Sequence, residues 1–270
     1  MSRSTIKERQ VLIPSGEGDL AAMLHLPEGA ARPTGLVLCP PFGDERKSAW
    51  RALTQLARSV AGAGWPVVRF DYGGCGESPG DFIQATLDTR LNDIEAAGEY
   101  LEREVDLEQL CVGGLRLGAT LAVRAGAELP GCCAAVLIEP VSEGNRYFGR
   151  MLQRKKLRQS ITSGQGEEDE AGDVVDLDGY AIRREVLEEL QGLELALPEY
   201  HPIDSALVVQ VSFNEKLRSE TEHAREVLEE GGVEVSLRTL VMEPFWSRID
   251  ITDTGALGEA VVEWLGEEGL

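Results

Sequence analysis

Short apolar runs alternate along this chain with stretches whose apolar residues recur at helical spacing. The runs "LVLCPP" (36–41), "PVVRFDY" (66–72), "QLCVGGL" (109–115) and "CCAAVLIEP" (132–140) have the length of single strands. Between them, residues 47–64 place Leu53, Leu56, Ala57 and Val60 on one helical face. A second helix carries Leu87, Leu91, Ile94 and Leu101, and a third is expected over "RLGATLAVRAGAEL". Near the C-terminus follow "SALVVQVS" (205–212), a helix opened by the capping-box pattern Ser219-x-x-Glu222, then "VEVSLRTLVM" and "GALGEAVVEWL". The first forty residues differ: "ERQVLIPSGEGDLAAMLHLP" reads as two strands joined by a Gly-rich turn. Two antiparallel strands followed by repeated βα units predict an α/β architecture, a mostly parallel twisted sheet with helices on both faces. Its ligand site belongs beyond the C-terminal ends of the strands.

The rhythm breaks over residues 141–204. A basic segment, "NRYFGRMLQRKKLRQS", passes into an acidic loop, "SGQGEEDEAGDVVDLDGY", and then a helix-like "REVLEELQGL". Within a single domain spanning 1–270, this segment reads as a cap insertion over the strand ends. Its two charged halves either pair or are solvated, or else Arg150, Arg154 and Lys155 face a ligand.

Net charge of −21 opposes contact with nucleic acid or an anionic membrane. The N-terminus "MSRSTIKERQ" lacks the apolar core of a secretory signal, so a cytoplasmic location is expected. Cys39, Cys75, Cys111, Cys132 and Cys133 are odd in number and have no C-x-x-C spacing, and they read as free thiols. No metal-ligand pattern and no cofactor motif is present in the sequence.

Three glycine-rich patterns follow three successive strands: "CPPFGDERKS", "DYGGCGES" and "GGLRLG". Taken together, at one βα unit each, they are a signature of the α/β-hydrolase fold. "PPFGDERKS", "DYGGCGESPGDF", "GLRLGA", "EPVSEGNRYF" and "DLDGY" further resemble the exosortase-system-associated hydrolases of type 2. That resemblance implies an α/β-hydrolase fold with a cap, an exosortase or exopolysaccharide setting, and partners from that system.

In that superfamily the turn after the fifth strand presents a nucleophilic serine between two glycines. Here the frame is Gly114-Leu115-Arg116-Leu117-Gly118, and a guanidinium has no lone pair to attack a carbonyl. At the acid station stand Asn214 or Glu215, and near the histidine station Glu243, Trp246 and Asp250. His25, His201 and His223 read as structural, Cys75 and Asp71 as turn-formers, and Ser142 has no evident base. Two roles stay open for Arg116. It either pairs with an internal carboxylate such as Glu243, Asp71 or Glu215, or it joins Leu117, Pro41, Phe42 and Gly43 in binding an anionic ligand. The functional expectation is non-hydrolytic binding of a small anionic or acyl ligand. The alternatives are an ester- or amide-type hydrolase or acyltransferase with a non-standard site, and a partner-binding scaffold.

Overall fold

The computed structural model describes residues 5–16, 18–163, 172–247 and 252–270. The N-terminal strands β1 (Ile6–Ser15) and β2 (Gly18–Pro27) pair antiparallel, from Ile6 opposite Pro27 to Ser15 opposite Gly18. Strands β3 (Thr34–Cys39), β4 (Val67–Phe70), β5 (Gln109–Leu115) and β6 (Cys132–Ile138) continue the sheet, followed by β9 (Ser205–Ser212) and β10 (Glu234–Val241). The eight strands lie in the order β1-β2-β4-β3-β5-β6-β9-β10, parallel from β4 onward. The hairpin β7 (Val174–Leu177) and β8 (Tyr180–Arg183) stands apart. Helices α1 (Asp44–Gly62), α2 (Leu87–Glu104), α3 (Leu117–Gly126), α4 (Gly144–Ser163), α5 (Arg184–Gln191), α6 (Ser219–Glu230) and α7 (Gly255–Glu267) complete the chain.

The strand alternation sorts the apolar residues onto two faces. Val37, Val112, Leu137 and Val208 pack in one core with Ile94 and Leu101 of α2, Val123 of α3 and Leu228 of α6. Leu36, Leu38, Cys111, Val136 and Leu207 point the other way, against Leu53, Leu56 and Val60 of α1 and Trp264 of α7. This two-sided burial explains why the central strands β3, β5 and β6 read as near-continuous apolar runs. Among the described residues no helix is long and apolar enough to cross a membrane.

The segment between β6 and β9 contains α4, the β7–β8 hairpin and α5. The basic stretch is helical, and "DLDGY", expected in a loop, is instead part of the hairpin. The acidic run 164–171 lies outside the described residues. One local expectation is corrected. Arg218, not Ser219, occupies the N-cap position of α6, and no side chain caps it. The Ser219 hydroxyl turns to the Glu220 carboxylate instead. A genuine capping box opens α2, where Thr86 and Thr89 exchange hydrogen bonds.

The turn from β5 into α3 is a tight junction. A Cβ on Gly118 would lie 2.3 Å from the carbonyl oxygen of Pro40, and one on Gly114 would lie 2.5 Å from the Gly118 backbone. Both obstacles are main chain, so neither can rotate away. We expect Gly118→Ala to cost about 3 kcal/mol or more in urea unfolding. Gly149→Ala, inside α4 with nothing within 4 Å of its added methyl, should gain about 0.5–1 kcal/mol.

Candidate functional site

Arg116 stands at the N-cap of α3 with φ 56° and ψ −125°, a conformation that costs a non-glycine residue about 1–3 kcal/mol. Its backbone N–H is held by the carbonyl of Ile138 at 2.9 Å, tying the turn to the end of β6. The side chain therefore leaves the sheet at the carboxyl ends of the central strands, where it meets acidic residues of two other elements. Nε lies 3.5 Å from Oε1 of Glu45 in the first turn of α1, an ion-pair contact rather than a formed hydrogen bond. Nη1 donates to the backbone carbonyl of Glu139 at 3.1 Å and lies 3.9 Å from the Glu139 carboxylate. The guanidinium carbon also sits 5.4 Å from the Tyr147 ring and 5.6 Å from the Trp246 ring.

A cation at a helix N-terminus opposes the helix dipole, so it needs an answering negative charge. Burial works against the Arg116 charge, but Glu45 and its neighbours outweigh burial and hold the guanidinium above its ordinary pKa. Burial pushes the Glu45 carboxyl up, against the pull of Arg116 and of the Tyr147 hydroxyl, which donates to Glu45 Oε2 at 2.8 Å. Glu139 follows β6 with its own positive φ of 49°. Its Oε1 accepts from the Val211 N–H at 2.6 Å and from Arg218.

The carboxylates around Arg116 are thus Glu45 and Glu139, not the expected Glu243, Asp71 or Glu215. Asp71 pairs with Arg46 at 2.9 Å and accepts from the Glu77 N–H, which folds the "DYGGCGES" loop back on itself. Asn214 and Glu215 are exposed in the turn after β9, with Asn214 Oδ1 accepting from the Lys216 N–H at 2.9 Å. Glu243 is exposed, and Asp250 lies outside the described residues. Glu139 was missed because its strand reads as an ordinary apolar run. Only its place at the end of the strand beside β5 marked it.

Arg116 forms one wall of a cleft of about 260 Å³, shared with Glu139, Ser142, Arg146, Arg150, Arg218, Glu220 and His223. Four arginines and three glutamates line this cleft, and the arginines pair with Glu45, Glu139 and Glu220. Among the described residues no serine hydroxyl is hydrogen-bonded to a histidine ring: Ser142 Oγ reaches the Glu220 carbonyl at 3.4 Å, and His201 Nε2 faces the Gly231 carbonyl. His25 is buried against Glu8 and Arg69, and burial lowers its pKa to about 4. Among the described residues no group of three or more His, Cys, Asp and Glu could hold a metal ion.

Leu117, Pro41, Phe42 and Gly43 are buried and do not line the cleft. Phe42 is packed edge-on against Phe82 and Phe148, at centroid distances of 5.5 and 5.3 Å, with Tyr180 of β8 beside it. Aromatic side chains from α4 and the hairpin thus fill the space above the turn after β3. Cys75, half-buried in the neighbouring loop, has its thiol pKa raised by burial.

No protein-family model and no curated protein matches the sequence. Solved structures match across nearly the whole chain. Est1E from Butyrivibrio proteoclasticus, solved with ferulic acid bound, is 18% identical over 95% of this chain and 98% of that one, with a TM-score of 0.67. An esterase of Pyrococcus furiosus is 15% identical over 97% and 90% of the two chains, also with a TM-score of 0.67. An α/β serine hydrolase without a lid from Xanthomonas campestris is 18% identical over 97% and 94%, with a TM-score of 0.58. The chain therefore has the α/β-hydrolase fold. Identities this low establish the fold and leave the chemistry to be argued from the residues.

Removing the guanidinium leaves Glu45 buried without its cation, while Glu139 keeps Arg218. We expect Arg116→Ala to lose about 3 kcal/mol at pH 7 in urea unfolding. Glu45 already has a raised pKa in the folded state, and the variant raises it further. A carboxylate with a raised folded pKa costs nothing below its unfolded pKa, and the cost grows from there until pH passes the folded pKa. The deficit should therefore shrink as pH falls from 7 towards the carboxylate range, and a deficit independent of pH would contradict this account.

Proposed function

We propose that this chain is a non-hydrolytic relative of the α/β-hydrolase esterases, binding a small anionic or acyl ligand in the cleft beside Arg116. The observation that carries the reading is a permanently charged arginine in the left-handed turn between β5 and α3, backed by two carboxylates and walling a cleft rich in arginine. In this reading Arg116 stands at the nucleophile station, and Trp246 near the histidine station stacks on it instead of relaying a proton. A guanidinium there cannot begin an acyl transfer. The ligand's anion then meets the outward face of Arg116 together with Arg218, Arg146 and Arg150. Segment 141–204 acts as the cap, its helix α4 forming one side of the cleft. The motif blocks shared with the exosortase-associated hydrolases support a cytoplasmic role in an exosortase or exopolysaccharide system, and acidic sugars are natural first probes.

A second reading, a partner-binding scaffold, is favoured by one specific feature. Arg116 already has two internal carboxylates, so it also serves as a plug that holds the strand ends together. Binding measurements separate the two. We expect glucuronate to bind by equilibrium dialysis, and Arg116→Ala to weaken it at least about tenfold, the loss of one charge-assisted contact. No binding to the parent chain would favour the scaffold. We further expect no turnover of p-nitrophenyl esters and no labelling by a fluorophosphonate probe. Labelling of any serine would instead favour an active hydrolase or acyltransferase with a non-standard site.

A further inference from the structure

A second cavity, of about 150 Å³, lies between α1 and the strands β1, β2 and β4, and it shares no residue with the Arg116 cleft. Most of its wall is apolar, with Ala22, Met23 and Phe70 from the strands and the exposed Trp50 from α1. Two of its charged side chains are of opposite sign. Arg69 is buried, only 6% exposed, whereas Glu77 is open to solvent.

The Arg69 guanidinium is fixed from behind. Its Nε donates to His25 Nε2 at 3.2 Å, and His25 Nδ1 lies 2.9 Å from Glu8 Oε1. Arg58 holds the same carboxylate through Nε and Nη2, at 2.8 and 2.9 Å. One face of the Arg69 guanidinium rests on the Trp50 ring, 4.5 Å from its centroid. The two Nη nitrogens remain, and among the described residues neither has a hydrogen-bond acceptor or a carboxylate within ion-pair distance. Burial lowers the Arg69 pKa to about 10, and the more distant Asp71 and Glu8 offset this only in part.

A buried arginine in so acidic a chain ordinarily engages a carboxylate, as Arg46, Arg116 and Arg218 do. Asp71 lines the same cavity, yet its carboxylate is taken by Arg46 and by the Glu77 N–H. The Glu77 carboxylate has no cation within ion-pair distance among the described residues. Free donors and a free acceptor thus share one apolar cavity without meeting. A ligand that answers both carries an anion and a cation close together on a small apolar body. A plain anion would meet the unpaired Glu77 charge, and a plain amine would leave Arg69 unanswered.

We propose that this cavity binds an α-amino acid with a small aliphatic side chain. Its carboxylate meets the Nη donors of Arg69, its ammonium meets Glu77, and its side chain packs on Met23, Phe70 and the Trp50 ring. The site is independent of the cleft beside Arg116.

The test is calorimetric titration with L-valine, 3-methylbutanoate and isobutylamine, the last two being valine without its ammonium and without its carboxylate. Valine should bind with a Kd of about 1 mM or tighter, at least about tenfold more tightly than either analogue. Glu77→Gln should weaken valine about tenfold and leave 3-methylbutanoate within about twofold of the parent. Arg69→Lys, which loses the paired donors, should weaken both. Glu77 is exposed, so its variant reads the site even where Arg69→Lys does not fold. Equal affinity for valine and 3-methylbutanoate, or an equal loss of both in Glu77→Gln, would refute the dipolar ligand. Absence of valine binding would overturn the site whatever glucuronate does in the cleft. Competition between valine and glucuronate would also overturn it, by placing valine beside Arg116.

Discussion

A charged side chain in a left-handed turn is the constraint around which the carboxyl edge of this sheet is arranged. Arg116 cannot lose its proton and cannot leave the turn, because its backbone N–H is tied to β6 and the turn is wedged against the end of β3. Low-dielectric surroundings make an unanswered cation there costly, so the neighbouring elements supply counter-charge. Glu45 comes from α1 and Glu139 from the end of β6, and Glu139 in turn engages β9 and Arg218. Strands that share no loop are thereby linked through a few charged atoms. Buried ion pairs of this kind contribute little net stability but are expensive to break singly.

The same edge divides into two unlike halves. Over the loops after β3 and β4, Phe42, Phe82, Phe148 and Tyr180 pack into an aromatic group, with the Arg90 guanidinium 5.5 Å from the Phe42 ring and 5.2 Å from the Phe82 ring. Among the described residues no comparable aromatic group covers the ends of β6 and β9, where the arginine-lined cleft lies. The asymmetry follows from where α4 and the β7–β8 hairpin lie. Tyr147 and Phe148, adjacent on α4, point to the two halves: Tyr147 reaches Glu45 and the cleft, and Phe148 joins the aromatic group.

Much of the fold was legible because its signals are local. The strand "QLCVGGL" coincides with β5. The glycine frame around Arg116 announced a tight turn, and the close approaches at Gly114 and Gly118 are its physical content. The β7–β8 hairpin was not legible, since "VVDLDGYAIR" mixes apolar and acidic residues like a loop. The α6 start was misread because Ser219-x-x-Glu222 satisfies a pattern whose geometry the chain does not adopt. Both side chains have better partners elsewhere, or solvent.

What the sequence by itself determined is the order of the eight sheet strands and the helices that connect them, the turn that carries Arg116 and the chemistry that an arginine excludes there. All of these depend on residues near one another in the chain. The identity of the answering carboxylates, the filling of one half of the edge by aromatic rings and the convergence of Arg146, Arg150 and Glu220 were decided only by tertiary structure. Glu45 is 71 residues before Arg116 and Glu139 is 23 after it, and nothing local distinguishes them from the many other acidic residues of this chain. Their pairing depends on which strand ends lie side by side. Long-range packing sets that, and no short stretch of residues encodes it.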